Sequence, residues 1–331
     1  MKRAVLNLLT SAGAFAPFRK ANRHQALVVM YHRFSEGEDS ASISVPTFRK
    51  HLEYLKSRYT LVTIAQLAAI LRTYEALPPS LAAITIDDGF RDAYELAFPL
   101  LVRYSAPATV FVVSDFIDQK AWIWTDKPRF LTSQTALERF EATIGGQRLS
   151  FNLNGPASRL DAAARMNVVL KQLDNSDKED AIRNIASALR VTIPDLPPPQ
   201  YGPLTWTQAR EMESKGVEIA SHTLTHPILT NVGDEQLRHE LEGSRLRLED
   251  ELGHESTSFC YPNGNHDARV LHEAERAGYR CAVTTDQGLN SKDTNPFSLQ
   301  RIPAVADFAR FVKSTSGFEQ VQAKFRTPTI S

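Results

Sequence analysis

Short apolar runs that alternate with helical segments are the feature that most limits how this chain can fold. Apolar runs of strand length, typical of strands buried on both faces, cover residues 26–31, 81–86, 108–113, 217–220, 257–261 and 280–284. Between them, helical periodicity or a terminal cap signal predicts helices near 48–59, 64–71, 90–104, 234–252 and 267–277. Strands that alternate with helices form a parallel sheet with right-handed crossovers, either as a barrel or as a doubly wound sheet.

The segment 118–203 interrupts this alternation. It contains Trp122 and Trp124, helices predicted at about 159–173 and 177–190, and a proline-rich exit. We interpret it as a helical insertion that packs over one rim of the main domain, because it is too ordered for a linker. The predicted organisation is an N-terminal segment (1–25), a main domain (26–310) with the insertion (118–203), and a C-terminal tail (311–331).

Composition limits the classes of partner. Lys plus Arg and Asp plus Glu both number 38, so the formal net charge is zero. This balance removes the electrostatic argument for a nucleic-acid partner. No stretch approaches the roughly 20 apolar residues that a transmembrane helix needs. The two cysteines, Cys260 and Cys281, are too few for a disulfide framework and match no zinc–cysteine spacing.

The N-terminal segment allows two interpretations. Lys2 and Arg3 precede an apolar stretch with small residues at its end, which loosely resembles a signal peptide. Asn7 and Thr10 dilute the apolar run, and a short amphipathic helix that ends at Pro17 fits as well. The second interpretation favours the cytoplasm or a membrane face over export.

Two adjacent carboxylates follow the predicted strand 81–86. Asp87 and Asp88 lie at its carboxyl end, the edge at which α/β barrels carry their active sites. Because the two side chains point in different directions, one is able to ligate a metal ion while the other faces a substrate. Gly89 permits a sharp turn or the close approach of a ligand. Alone, this motif fits a solvated loop as well, with Asp88 favoured by the dipole of the next helix.

Two histidines follow the predicted strand 217–220. His222 and His226 are four residues apart, a spacing at which two imidazoles converge on one metal ion if the segment is helical or forms a tight turn. Each histidine alone fits a structural role equally well. Two imidazoles plus one carboxylate leave positions open for water and substrate, as in catalytic metal sites.

In this order the motifs resemble those of the polysaccharide deacetylase family (carbohydrate esterase family four, with the NodB homology domain). The family signature joins T-F-D-D-G at a strand end to H-[ST]-x-x-H. Here residues 85–89 are T-I-D-D-G and residues 222–226 are H-T-L-T-H. The resemblance covers most of 26–305 outside the insertion. It implies an α/β fold, a distorted (β/α)7 barrel.

The resemblance also implies roles for these residues. Asp87 corresponds to the catalytic base, and Asp88, His222 and His226 correspond to ligands of one divalent metal ion, with zinc favoured over other ions. The implied reaction removes N-acetyl groups from a glycan, and removal of O-acetyl groups is the less favoured interpretation. Two alternatives stay open: an amidohydrolase of the same fold that acts on a small non-sugar amide, and a non-catalytic glycan-binding module. The intact base argues against the second alternative, because a binding module needs no base beside a metal ion.

The family's third motif resembles residues 259–264, which are F-C-Y-P-N-G. In the family, the backbone N–H at the position of Tyr261 helps to hold the oxyanion, and Asn263 replaces a more common tyrosine. The arginine that many members place just before this motif is missing from the sequence. Arg301 is the candidate that would supply this charge beside Asp87 from the last strand, and an ordinary surface arginine is the alternative.

No histidine follows Arg301, whereas the family's general acid is a C-terminal histidine. The first predicted strand instead ends in Tyr31 and His32. This arrangement resembles the circularly permuted branch of the family, which includes the deacetylases of biofilm poly-N-acetylglucosamine. The resemblance implies that His32 is the general acid. Without it, a histidine at a strand end is more often structural.

The tryptophans suggest a part in substrate binding. Trp122, Trp124 and Trp206 have flat apolar faces of the kind that stack on sugar rings, and core packing is the alternative. We expect the insertion to shape substrate choice rather than chemistry. His266 follows the Tyr261 loop closely enough to line the groove, and a helix cap by Asp267 explains this segment equally well.

Overall fold

The apolar runs form one curled parallel sheet. The structure, a computed structural model, describes residues 3–37 and 41–326. The strands in these ranges are β1 (Leu27–Tyr31), β2 (Phe34–Ser35), β3 (Ile43–Ser44), β4 (Thr60–Val62), β5 (Leu81–Ile86), β6 (Ala108–Val112), β7 (Arg139–Ile144), β8 (Gln147–Asn152), β9 (Val217–Ser221), β10 (Ser258–Cys260), β11 (Cys281–Val283) and β12 (Ile302–Pro303).

Helices follow most of these strands. The α-helices of the described ranges are α1 (Arg3–Ser11), α2 (Ala16–Ala21), α3 (Val45–Arg58), α4 (Ile64–Thr73), α5 (Phe98–Arg103), α6 (Ser114–Ile117), α7 (Lys127–Gln134), α8 (Pro156–Leu170), α9 (Asn175–Ala188), α10 (Trp206–Ser214), α11 (Asp234–Leu252), α12 (Ala268–Arg276), α13 (Phe308–Thr315) and α14 (Phe318–Arg326). A π-helical turn, Ala93–Ala97, precedes α5, so the single helix predicted over 90–104 begins irregularly.

The sheet closes into a distorted barrel. Its strand order is β11–β10–β9–β6–β5–β1–β12, and all neighbours are parallel. Leu299, just before β12, joins the two ends: its N–H donates to the Ala282 carbonyl (3.0 Å), and its carbonyl accepts from the Thr284 N–H (2.9 Å). β4 lies beside the first half of β5 and β6 beside the second half. The predicted distorted (β/α)7 barrel is confirmed.

The barrel strands are buried on both faces, which explains their apolar sequences. Every residue of β5 is buried. Because successive side chains point to opposite faces, Ile84 packs outside the barrel with Leu52 of α3, and Ala83 packs inside with Leu67 of α4. The first turn of α4 donates a backbone N–H to Glu218 near the start of β9 (3.0 Å). This helix therefore covers the amino end of the barrel and leaves the carboxyl end for the site.

The insertion is more ordered than its sequence predicts. Helices α8 and α9 correspond to the predicted pair, whereas α7 and the hairpin of β7 and β8 are additional. Gly145 and Gly146 form the hairpin turn with φ values of 56° and 78°, a conformation that favours glycine. The insertion has its own apolar core, which includes Trp122, Trp124, Phe130, Phe151, Met166 and Ile185.

Helices from the two ends of the chain pack together. The helix predicted to end at Pro17 is two helices, because α1 ends at Ser11 and Pro17 lies in the first turn of α2. Leu6 and Phe15 pack against Val312 of α13, which runs across the predicted boundary at 310. Among the described residues, no helix is long and apolar enough to span a membrane. Lys2 and the end of the predicted tail, 327–331, lie outside those residues.

Candidate active site

A sharp turn at the end of β5 places two carboxylates at the carboxyl edge of the barrel. The Asp87 N–H donates to the Tyr31 carbonyl (2.9 Å), which ties this turn to the end of β1. Asp88 and Gly89 both have a φ of 77°. A Cβ atom at Gly89 would lie 3.3 Å from the Val112 Cα, so the glycine lets the turn approach β6 closely. Both carboxylates are buried.

Residues 222–226, which we call the histidine loop, leave β9 in a tight turn. Thr223 and His226 both adopt left-handed conformations, with φ values of 71° and 64°. The Thr223 hydroxyl accepts from the His226 N–H (3.0 Å). The turn directs both imidazoles toward Asp88, and the Nε2 atoms of His222 and His226 each lie 3.4 Å from Asp88 Oδ1. The structure thus brings together the three side chains predicted as metal ligands.

These three side chains form a donor set that fits a divalent metal ion. Their ligand atoms all lie within 4.8 Å of one another. A tetrahedral zinc ion with bonds of about 2.0–2.1 Å separates its ligand atoms by about 3.3 Å, close to the two 3.4 Å distances found here. His222 Nδ1 donates to the Cys260 carbonyl (2.7 Å), so Nε2 is the ring nitrogen of His222 that would bind a metal ion beside Asp88.

The charges of the donor set are coupled. Burial opposes ionisation of Asp88, but a hydrogen bond to His222 and the charge of His226 lower the pKa of this carboxyl below its ordinary value. Burial also opposes a charge on His222, yet Cys260, Asp88 and Asp87 raise its pKa. Burial and the neighbouring His222 lower the pKa of His226 to about 3. A metal ion that binds here must therefore displace the proton of His222.

A buried arginine fixes Asp87. Arg301 Nη1 donates to Asp87 Oδ1 (2.7 Å) and to the Thr85 hydroxyl (3.1 Å), and Arg301 Nε donates to the Thr284 carbonyl (2.6 Å). Burial would raise the pKa of Asp87, but the Arg301 guanidinium and the nearby His32 lower it. The alternative of a surface arginine is wrong, because the Arg301 side chain is fully buried.

The free oxygen of Asp87 has two further neighbours. Asp87 Oδ2 lies 3.6 Å from His32 Nε2 and 3.6 Å from Cys260 Sγ. The His32 side chain is 44% exposed, whereas the Asp87 side chain is 2% exposed. A substrate is therefore able to reach the imidazole from solvent. The structure places the predicted acid and the predicted base at one edge of the barrel.

Tyr261 is less available than predicted. Its backbone N–H, the expected oxyanion donor, donates to the Val283 carbonyl (3.3 Å) between β10 and β11. Its hydroxyl donates to the Phe297 carbonyl (3.0 Å). Both donors of this residue therefore have partners within the protein, although the bond to Val283 is long.

The burial of Trp122 and Trp124 contradicts the predicted sugar-stacking role of these two side chains. Trp122 and Trp124 are 6% and 2% exposed, and both pack in the apolar core of the insertion. The indole N–H of Trp206 donates to Asp118 (2.7 Å), and the guanidinium of Arg247 lies 5.5 Å from the centre of the Trp206 rings. The alternative, a role in packing, therefore applies to Trp122 and Trp124, and the partly exposed Trp206 packs at the edge of the barrel core.

Two further side chains at the site were given no role from the sequence, although Cys260 lies within the third motif. Cys260, the last residue of β10, contacts Asp87 through its thiol. Glu240 of α11 accepts hydrogen bonds from the histidine loop. The sequence does indicate that Glu240 is buried, because it lies on the same helix face as the apolar residues of α11 and the small Ser244; these are Leu237, Leu241, Ser244 and Leu248. A carboxylate on the buried face of a helix needs a polar partner, and that requirement points to the loop. Asp267, by contrast, caps α12 as one alternative predicts.

A comparison with family models identifies the family. Residues 75–282 match the model described as Polysaccharide deacetylase, a range that contains both signature motifs. The chain belongs to the polysaccharide deacetylase family. The resemblance predicted from the sequence is confirmed at this level.

Relatives and solved structures agree with this assignment. The putative polysaccharide deacetylase YxkH of Bacillus subtilis (strain 168) is 22% identical over 276 residues, which cover 83% of this chain and 70% of the relative. The structure of the Streptococcus pyogenes deacetylase PplD in complex with acetate has a TM-score of 0.59 at 18% identity and covers 89% of this chain and 99% of that one. A de-N-acetylase from Aggregatibacter actinomycetemcomitans has a TM-score of 0.55 at 17% identity, with coverages of 87% and 99%. Identities this low show a shared fold.

Proposed function

We propose that this chain hydrolyses acetyl groups on a glycan, with N-acetyl groups favoured over O-acetyl groups, and that it uses a divalent metal ion. The observation that carries the proposal is that adjacent residues of one turn supply a carboxylate of the donor set (Asp88) and an oriented base (Asp87). Asp88 faces His222 and His226, and Arg301 holds the adjacent Asp87 so that one of its carboxylate oxygens lies within 4.8 Å of a ring nitrogen of the same His222. A protein that only binds glycans needs no such oriented base.

The donor set assigns the metal ligands in this proposal. Asp88, His222 and His226 would hold the ion, and two imidazoles with one carboxylate favour zinc. When bound, a divalent ion supplies Lewis acidity, which polarises an acyl carbonyl and lowers the pKa of water. Three protein ligands leave room for both water and substrate.

Asp87 is the proposed general base. Its Oδ1 is held by Arg301, so Oδ2 is the oxygen that takes a proton from the attacking water. The low pKa of Asp87 keeps the carboxylate ionised and ready to accept that proton. The water, once deprotonated, adds to the acetyl carbonyl.

His32 is the proposed general acid. Its Nε2 lies beside Asp87 Oδ2, and its exposed ring borders solvent, so it is able to reach the nitrogen of a bound acetamido group. It protonates that nitrogen as the carbon–nitrogen bond breaks, which gives acetate and a free amine. The Tyr261 N–H assists the oxyanion only if it exchanges its bond to Val283 for one to the substrate.

The preference for N-acetyl groups follows from this acid. An amine departs poorly unless it is protonated, whereas an alcohol from an ester departs more readily, so an acid at His32 matters most for an amide. The activities of the similar proteins support the same reaction class: one solved relative is a de-N-acetylase, and PplD is a deacetylase in complex with acetate.

The test is acetate release from N-acetylated oligosaccharides by the purified full chain, before and after chelation and with metal ions restored. We expect chelation to abolish release and zinc to restore it. Asp87→Asn should retain the metal ion and lose at least about 100-fold in turnover, whereas Asp250→Asn, at an exposed acid on α11, should match wild type. Turnover of a small amide but of no glycan would replace the proposal with the amidohydrolase alternative. Glycan binding without any turnover would replace it with the binding module.

A further inference from the structure

The histidine loop is strained and has unusual support. We propose that Glu240 and Trp124 are positioning residues that hold the histidine loop in the shape in which His226 binds metal; this inference rests on the proposed metal site. Left-handed backbone at Thr223 and His226 is unfavourable for residues with a side chain. Such a conformation persists only where the surrounding structure enforces it.

His226 depends on its backbone more than His222 does. A metal-binding histidine usually donates its second ring nitrogen to a fixed acceptor, which sets the orientation of the ring. His222 does so through its Nδ1 and the Cys260 carbonyl (2.7 Å). The Nδ1 of His226 is buried and has no hydrogen-bond partner among the described residues. The position of this imidazole is therefore set by the main chain of the loop.

Glu240 holds the middle of the loop. Its Oε2 accepts from the backbone N–H groups of Leu224 (2.9 Å) and Thr225 (3.0 Å), and its Oε1 accepts from the Thr225 hydroxyl. The residue is 2% exposed. A buried carboxylate whose hydrogen bonds all go to one loop fixes that loop to α11 at several points.

Trp124 holds the end of the loop. Its indole N–H donates to the His226 carbonyl (3.0 Å), and its ring is 2% exposed. The ammonium of Lys178 lies 4.5 Å from the centre of the same ring and helps to fix it. Both residues belong to the insertion. The insertion therefore contacts the metal site through the main chain of a ligand, whereas the sequence predicted a role in substrate choice only.

The experiment measures metal affinity rather than turnover. Zinc dissociation constants from chelator competition, and the visible absorption spectrum of the cobalt-loaded protein, are compared among full-length variants. Glu240→Ala is expected to weaken zinc binding about 10- to 100-fold. Glu240→Gln should recover part of that loss, because its amide oxygen still accepts from the loop. Trp124→Phe keeps most of the packing, removes the donor, and should weaken binding in the same direction.

Glu249→Ala is the matched control. Glu249 lies on the same helix and also accepts from a loop N–H, that of Ser256 (3.2 Å), which contacts no proposed ligand. This variant should bind zinc as wild type does. Thermal unfolding of the metal-free proteins separates a loss of metal affinity from a loss of the fold. If Glu240→Ala does not fold, the zinc affinities of Glu240→Gln and Trp124→Phe test the positioning role.

The outcomes separate the two proposals. If wild type binds no divalent ion, the metal site itself is refuted. If wild type binds zinc and the Glu240 and Trp124 variants bind it equally well with unchanged cobalt spectra, the positioning role is refuted and the metal site stands. Weaker binding in Glu249→Ala as well would also refute it, because a general loss of stability would then explain the effect.

Discussion

Arg301 and Asp87 form a buried ion pair that spans the end of β1. Arg301 Nη1 lies 2.7 Å from Asp87 Oδ1, and the two side chains are 0% and 2% exposed. Arg301 immediately precedes β12 and Asp87 follows β5, while β1 lies between these strands. The orientation of the proposed base therefore depends on the last strand of the barrel. Substitution of one partner leaves the other charge buried and unpaired, which is strongly unfavourable.

Arg301→Lys is expected to lower kcat about 100-fold while bound zinc is retained. Lysine keeps the charge, but it lacks the planar group that reaches Asp87, Thr85 and Thr284 at the same time. Steady-state kinetics and metal analysis of the same preparation check this. Arg247→Lys, in an arginine–aspartate pair with Asp118 outside the site, is the control and should retain full activity. Unchanged kcat in Arg301→Lys would remove the orienting role.

His32→Ala should reduce amide hydrolysis and spare a good ester. We expect a loss of about 10²–10⁴-fold on an N-acetylated glycan, the usual contribution of a general acid. An aryl acetate should lose little, because its leaving group departs without a proton. His254→Ala is the control, since this exposed histidine pairs with Glu213 of α10 and should leave both activities unchanged. Equal losses on both substrates would assign His32 to binding rather than to acid catalysis.

The barrel strands and the donor set were predictable because each rests on local sequence. An apolar run such as β5 indicates a strand buried on both faces, and His222 and His226 fall at a metal-binding spacing. The role of Arg301 was only one of two alternatives, since the contact joins residues 214 positions apart and exists only once the barrel closes. Burial of Trp122 and Trp124 was likewise only one of two alternatives, because a tryptophan side chain suits a core and a sugar site equally well.

Trp122→Ala is expected to destabilise the protein rather than to alter glycan selection. The ring packs edge-on against Phe130 (5.2 Å between centroids) and near Tyr201 (6.0 Å) in the core of the insertion. Removing such a buried ring usually costs about 3–5 kcal/mol. Urea denaturation measures the free energy of unfolding. If the KM values rise at all, they should rise by the same factor for short and for long oligosaccharides. A selective rise for long substrates would restore the stacking role.

His51 is expected to make the stability of the protein depend on pH. This imidazole is fully buried on α3, stacks on Phe311 (3.7 Å between centroids), and pairs through Nδ1 with the Tyr31 hydroxyl (3.1 Å). Burial lowers the pKa of His51 to about 3, whereas an unfolded histidine titrates near 6.5. Below that unfolded pKa the unfolded chain binds the extra proton, so stability is complete above about pH 6.5 and falls as the pH decreases toward 3.

The expected size of this effect is about 2 kcal/mol of unfolding free energy lost between pH 7 and pH 5. Phenylalanine cannot take up a proton. Between pH 7 and pH 5, the unfolding free energy of His51→Phe should therefore fall by about 2 kcal/mol less than that of wild type, whatever the absolute stability of the variant. Urea denaturation of both proteins in the presence of chelator measures the difference without metal linkage. The buried Tyr31 hydroxyl is left unpaired in the variant, which lowers stability at every pH and cancels in the comparison. Parallel curves for the two proteins would show that another group controls acid stability.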